Sequence, residues 1–319
     1  MPGVVASTLH HLVRQAQAEG VCLPEVSSTP DATGRVPAAG VLALLQAAVS
    51  VTDPGFPLRA ARITRRDSMG LVHLFADAAP TLGAAQRRFV DFAVLVTDLY
   101  QWRADEAADR SRLVCEGVPD DPAVQWLLAF DLADTVAFTQ AALGPAADIR
   151  LVLERPGVVP FGDLGVRVDN GAWTGVSVPR LALETPLLHA NAAVSDLLEQ
   201  RLRDLHLHID PPVWSAVIQD LREHLSCAPS IHETAGRLGM SRRTLARRLQ
   251  QEGRSFRDLL SGLRRREAMR LLSDHSVESV AHSLGYSEAR PFNRAFRRWT
   301  GLSPSHWRDR QAAQEGLDD

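Results

Sequence analysis

Apolar residues in the first two-thirds of the chain recur with two different periods, and the change of period predicts the elements. Val4, Leu9, Leu12, Val13 and Ala16 recur at helical spacing and stop at Gly20, which predicts a first amphipathic helix. A polar, turn-forming stretch runs from Pro24 to Gly34. Pro37 then opens a mostly apolar helix through Val51, stopped by Asp53-Pro54-Gly55-Phe56-Pro57. Leu71 to Phe75 reads as a short buried strand, and Pro80-Thr81 as the start of a long helix from Leu82 to Leu99. A further helix opens at Asp121 or Pro122 and runs through Val124, Leu127, Leu128, Leu132, Val136 and Phe138 toward Gly144. The period then shortens to two: 149–153, 165–168 and 175–178 read as strands, with Asp169-Asn170-Gly171 as a hairpin signal. A last helix, Ala192 to Leu205, closes a mixed α/β domain spanning residues 1–205.

Residues 206–212 form the expected linker, because Asp210-Pro211-Pro212 breaks any helix. Beyond it the period is helical throughout, which predicts an all-α domain over 213–310 and a polar, flexible tail over 311–319. Trp214, Val217, Ile218, Leu221 and Leu225 mark its first helix. One pattern is then written twice. Ser230-Ile-x-x-x-Ala-x-x-Leu-Gly-Met-Ser241 recurs 46 residues later as Ser276-Val-x-x-x-Ala-x-x-Leu-Gly-Tyr-Ser287. After the turn the second copy carries one extra residue, so Leu245, Arg247 and Leu249 correspond to Phe292, Arg294 and Phe296. Each copy has the spacing of a helix-turn-helix, at about 230–252 and 276–300, with a glycine in the turn and a small alanine at the helix crossing. Between them, 255–272 predicts a connecting helix opened by a capping-box-like Ser255-Phe-Arg-Asp258, with Phe256, Leu259, Leu260, Leu263, Met269 and Leu272 as core.

Charge separates the two halves. All 35 basic residues are arginine, which fits a GC-rich coding sequence, and the net charge is only −3. Residues 1–212 hold 17 Arg against 25 acids, whereas 213–310 hold 18 Arg against 10 acids. The half with the repeat is therefore the basic one, and a polyanion is its expected partner. Cys22, Cys115 and Cys227 are too far apart for a local metal motif and odd in number, so they read as reduced, mostly buried thiols. His206 and His208 lie two apart with no third ligand in view, and no metal or cofactor is expected. The N-terminus lacks the pattern of an export signal, and the most apolar window, 38–51, is too short to span a bilayer. A cytoplasmic, nucleoid-associated protein without membrane contact is expected.

Helical geometry sets Leu245 and Leu249 on one face of the second helix of the first copy, with Arg243, Arg247 and Gln250 opposite. With Ser287 as its expected N-cap, the second copy sets Phe292, Ala295, Phe296 and Trp299 against Arg290, Asn293, Arg294 and Arg297. These polar faces lack the acidic residues that a merely solvated helix interleaves. Arginine's planar fork suits guanine O6 and N7 in the major groove, as well as phosphate. Arg243, Arg247, Arg290 and Arg294 are the candidates for base edges. Ser241, Arg242, Thr244, Arg248, Gln250, Ser287, Asn293, Arg297 and Arg298 are the candidates for phosphate or flanking contacts.

These residues resemble the AraC/XylS-type bacterial transcription regulators. The resemblance is carried by 235–249, by Leu263-Arg-Arg-Arg-Glu-Ala-Met-Arg-Leu-Leu272, and most strongly by 280–304 with Trp307-Arg308. It implies a seven-helix DNA-binding domain whose recognition helices carry Arg243, Arg247, Arg290 and Arg294. Pro291 departs from the family pattern, standing where a small or polar residue is usual. Residues 35–200 more loosely resemble the α/β effector domain of the ornithine-utilisation and virulence-regulator branch, with 155–169 abbreviated. The resemblance implies a homodimer that binds promoter DNA and engages RNA polymerase, and activation is its expected action. It also implies a small-molecule effector of unknown identity and site, for which an apolar pocket between the sheet and the long helices is the candidate. Two other classes fit fewer residues. An enzyme with a DNA-binding appendage would need an activated cysteine or a phosphate loop, and neither motif is visible. A nucleoid protein indifferent to sequence would not need two patterned readout helices.

Overall fold

The computed structural model describes residues 2–24, 26, 29–62, 70–107, 109–154 and 159–315. Contacts divide the chain into two compact units, Met1–Pro211 and Pro212–Asp319. In the first unit β1 (Gly3–Val5) leads into α1 (Ala6–Ala18), and β2 (Arg35–Pro37) into α2 (Ala38–Val51). The two strands pair antiparallel. Three shorter helices follow, α3 (Phe56–Arg62), α4 (Leu71–Asp77) and α5 (Leu82–Phe92). Then come β3 (Gln101–Glu106), β4 (Arg110–Glu116), α6 (Pro122–Leu143), β5 (Arg150–Leu153), β6 (Arg167–Asn170), β7 (Thr174–Pro179) and α7 (Ala192–His206).

The sheet order is β3-β4-β7-β5-β6, antiparallel except for the β5–β6 pair. Helix α6 organises the unit. It is apolar almost all round and buries Leu127, Leu128, Leu132 and Val136 in one core with α1, α2, α3 and the sheet. Asp121 caps it, accepting from the Ala123 amide at 2.8 Å, and Pro122 takes the first turn, where no backbone donor is needed. Thr81 and Asn191 cap α5 and α7 in the same manner. Gly175 admits β4: a Cβ there would stand 2.0 Å from the Leu113 carbonyl oxygen.

Several sequence expectations are corrected. Val4 lies in β1, with the helix starting at Ala6. Leu71 to Phe75 forms a helix, α4, because Val72, Phe75 and Ala76 bury at helical spacing while Leu71 faces outward. A five-residue stretch with four apolar positions contains too few residues to fix its period. Helix α5 ends at Phe92 in a 3-10 turn, Ala93–Leu95, well short of Leu99. The second and third expected strands do not form the hairpin that Asp169-Asn170-Gly171 signalled. β6 is a polar edge strand beginning at Arg167, it runs parallel to β5, and β5 separates it from β7. Cys22 and Cys227 are exposed, and only Cys115 is buried. The β1–β2 pair, α3 and the β3–β4 hairpin carried no apolar pattern that announced them.

Among its described residues the second unit has seven α-helices: α8 (Val213–Glu223), α9 (Ile231–Arg237), α10 (Arg242–Gln251), α11 (Phe256–Leu271), α12 (Val277–Ser283), α13 (Ala289–Thr300) and α14 (Pro304–Glu315). The residues expected as flexible tail begin within α14, and 316–319 lie outside the described residues.

Candidate nucleic-acid interface

The two copies of the repeat fold into matching turns. Ser230 caps α9 in a full capping box with Glu233, and Ser276 caps α12 through the Ser279 amide. After each first helix, the Met240 amide donates to the Ala235 carbonyl at 2.8 Å and the Tyr286 amide to the Ala281 carbonyl at 2.9 Å. Both bonds close around a left-handed glycine, Gly239 at φ 67° and Gly285 at φ 75°. Ala235 and Ala281 are buried at the helix crossings, where a larger side chain would push the pair apart.

The second helices, α10 and α13, present the arginines. In α10, Leu245 and Leu249 are buried, whereas Ser241, Arg242, Arg243, Arg247, Arg248 and Gln250 are exposed and Thr244 is half-buried. Ser241 caps α10, accepting from the Thr244 amide at 3.1 Å. In α13, Phe292, Ala295 and Phe296 are buried and Arg290, Arg294, Arg297 and Arg298 are exposed. Asn293 is half-buried, with its Oδ1 lacking a hydrogen-bond partner, and Trp299 is half-buried as well. Among the described residues, Arg243, Arg247, Arg290 and Arg294 form no ion pair with the chain's own acids. Other arginines of this unit are committed: Arg237 to Asp220, and Arg270 to Glu267 at 2.8 Å.

Ser287 does not cap α13. The residue at that position is Glu288, and it makes no side-chain cap. The one-residue insertion after the second turn therefore lies ahead of the helix. Caps Ser241 and Glu288 are 47 apart, as are Arg243 and Arg290. Pro291 falls at the third helical position, among the first four amides that no helix pairs internally, and α13 runs unbroken past it.

Residues without a sequence motif hold the two copies. Asp220 of α8 accepts from Thr234 Oγ1 at 2.7 Å and from both Nε and Nη2 of Arg237, fixing α9 to α8. The Arg237 hydrogen bond, with that from Thr234, outweighs the cost of burial and lowers the Asp220 pKa. Glu252, at the C-cap of α10, accepts from the Val213 and Trp214 amides at 2.7 and 2.9 Å and so caps the start of α8. Arg264 of α11 donates to the Leu284 carbonyl at 2.9 Å, and its guanidinium lies 4.6 Å from the Tyr286 ring centre. Trp299 Nε1 donates to Ser261 at 2.8 Å. Helix α11 buries Leu259, Leu263 and Met269, while Phe256 and Leu260 are half-buried. These polar ties were invisible in the repeat because each takes at least one partner from outside its fixed positions.

The first unit contains a cleft with about 540 Å³ of empty space, counting the part open to solvent. It lies between α4, α5, α6 and the face of β4 and β7, with Leu82, Phe89, Phe138 and Val176 among its walls. His73 Nε2 lies 3.1 Å from Asp134 Oδ2 on its lining. One turn earlier on α6, the buried Asp131 receives the Tyr100 hydroxyl at 2.5 Å, and burial pushes its carboxyl up to about 7. No single described helix is long and apolar enough to cross a membrane.

Comparison with known proteins agrees with both units. Residues 234–310 match the family model described as a helix-turn-helix domain, and residues 18–157 match the arabinose-binding domain of AraC transcription regulators. The regulator VirS of Mycobacterium tuberculosis is 27% identical over 85% of this chain and 83% of its own length. The ornithine utilization regulator of Pseudomonas aeruginosa is 31% identical over 43% of this chain and 42% of its own. The crystal structure of CdpR from Pseudomonas aeruginosa aligns over 95% of this chain and 98% of its own, at 22% identity and a TM-score of 0.45. With a doubled helix-turn-helix following an arabinose-binding-type domain, the chain belongs to the AraC family of DNA-binding transcriptional regulators.

Proposed function

We propose that the chain is a sequence-specific activator that reads promoter DNA with α10 and α13 under the control of a small molecule bound in the cleft of the first unit. The observation that carries the DNA reading is the pair of exposed arginine sets, Arg243 with Arg247 and Arg290 with Arg294, none of them neutralised by an acid among the described residues. On this reading those four donate to base edges in two major-groove segments. Ser241, Arg242, Thr244, Arg248, Gln250, Ser287, Arg297 and Arg298 hold the flanking phosphates, which set register and affinity. Asn293, half-buried with an unpartnered Oδ1, is the weakest of the flanking candidates. The protein acts in the cytoplasm on the nucleoid, as a homodimer that contacts RNA polymerase.

Mobility-shift titrations with promoter fragments test the reading. Arg247→Ala and Arg294→Ala are each expected to cost about 1–3 kcal/mol on the specific site and to relax preference at a few adjacent base pairs. Retention of full sequence preference by both variants would overturn it. A ligand that shifts DNA affinity in the wild type, but not in a variant with the cleft filled by Ala85→Phe, supports control from the first unit.

A further inference from the structure

The lining of the cleft in the first unit is unevenly supplied with hydrogen-bond donors and acceptors, and that imbalance selects a ligand chemistry. Its walls are apolar, with Ala76, Leu82, Ala85, Phe89, Phe138 and Val176 among them. The polar groups on the lining are His73, Gln86, Asp134, Thr135 and Thr139. Most of their hydrogens are already committed. Thr135 Oγ1 donates to the Asp131 carbonyl and Thr139 Oγ1 to the Thr135 carbonyl, each at 2.7 Å. His73 Nε2 is held by Asp134 Oδ2 at 3.1 Å. Gln86 Oε1 accepts from Ser111 at 3.0 Å, which leaves its amide N–H group as a donor.

The lone pairs are less committed. Each threonine oxygen that donates to the helix keeps acceptor capacity, and Asp134 keeps its second carboxylate oxygen. Among the described residues no arginine is on the lining, and the one ionisable donor there, His73, is paired with Asp134. A ligand carboxylate would therefore enter beside Asp134, one turn of α6 from Asp131, with only that imidazole and the neutral Gln86 amide to receive it. A ligand that donates hydrogen bonds meets the opposite situation, because Asp134 and the threonine oxygens can all accept from it.

The geometry points to an apolar effector with a hydrogen-bond-donating head group, an ammonium or a hydroxyl. Asp134, Thr135 and Thr139 hold the head, and the corresponding carboxylic acid is excluded. This rests on the reading of the cleft as the effector site. Both head groups share the donor chemistry, and the charge on Asp134 distinguishes them.

Calorimetric titration of the full chain at pH 7 with octylammonium, 1-octanol and octanoate tests this, alongside the same titrations of Phe138→Trp followed by indole fluorescence. Octylammonium and octanol are expected to bind saturably and to change the fluorescence, with octanoate at least about tenfold weaker than octylammonium, the difference a charge-assisted hydrogen bond makes. Asp134→Asn is expected to lower octylammonium affinity about tenfold or more and to change octanol affinity by no more than about twofold. If Asp134→Asn fails to fold, Thr139→Val serves in its place and is expected to weaken both donor-headed probes about threefold. Octanoate binding as tightly as octylammonium, with the fluorescence responding, would overturn the ligand class and leave the cleft as the effector site. Failure of every probe to bind or to alter the fluorescence would overturn the cleft reading itself, and this inference with it.

Discussion

Gly239 and Gly285 occupy the same place in the two turns and are held by different constraints. Both are left-handed, but a Cβ on Gly239 meets nothing within 4 Å, while one on Gly285 would lie 2.6 Å from the Leu225 carbonyl oxygen and 2.7 Å from the Ala228 amide nitrogen. Gly239→Ala is expected to cost about 1 kcal/mol, the backbone penalty alone. Gly285→Ala adds a backbone clash of about 1–3 kcal/mol, and paired urea titrations should show the larger loss there. Asp131 makes a second prediction. Burial raises its folded pKa to about 7 from an ordinary value of 3.8, so the folded chain keeps a proton that the unfolded chain loses. Stability is therefore fully present below about pH 4 as far as this group is concerned, and falls as pH rises toward 7. His73 acts in the same direction. Burial lowers its pKa, but the hydrogen bond and charge of Asp134 outweigh that and leave it raised. Asp131→Asn, whose side-chain oxygen still accepts from Tyr100, is expected to flatten the decline between pH 4 and 7 in thermal unfolding.

At the scale of elements, legibility followed the number of residues that repeat a period. Helix α6 declared itself because its apolar positions continue for six turns behind an Asp-Pro start. The doubled turns declared themselves because each position is written twice. Leu71 to Phe75 did not, since four apolar residues around His73 suit a strand as well as one and a half turns of helix. The β3–β4 hairpin was hidden by charge: Arg103 of β3 pairs with Glu116 of β4 at 3.2 Å, a cross-strand contact that no alternation of apolar residues records. Ser287 misled as a cap because the 46-residue offset ends just before the insertion, one residue ahead of the helix. The arginine faces were legible; the ties that aim them were not, because Asp220, Glu252 and Arg264 act across helices far apart in sequence. Glu252 gives the element-scale prediction. Glu252→Ala frees two amides at the start of α8 and is expected to destabilise the second unit by about 1 kcal/mol, with Glu252→Gln losing less, as read by thermal unfolding of its helices.

For the whole molecule, charge and repeat together set the form of the DNA site. The excess of arginine over acids in 213–310 predicts affinity that falls steeply with salt, and removing one arginine proposed to hold a phosphate, such as Arg248, should lower the salt slope by about 0.9. The two recognition helices lie on one chain in tandem and carry different residues, Thr244 in α10 standing where α13 has Pro291. Each protomer should therefore cover an asymmetric site of two unlike segments. A dimer would then favour two such sites as repeats over a strict palindrome. Selection of binding sites from a random DNA pool by the wild type, Arg247→Ala and Arg294→Ala tests this most directly. The account predicts two segments about one helical turn apart in the wild-type motif, with Arg247→Ala losing preference in one segment and Arg294→Ala in the other. A single palindromic half-site per protomer, or one motif eroded evenly by both substitutions, would contradict it.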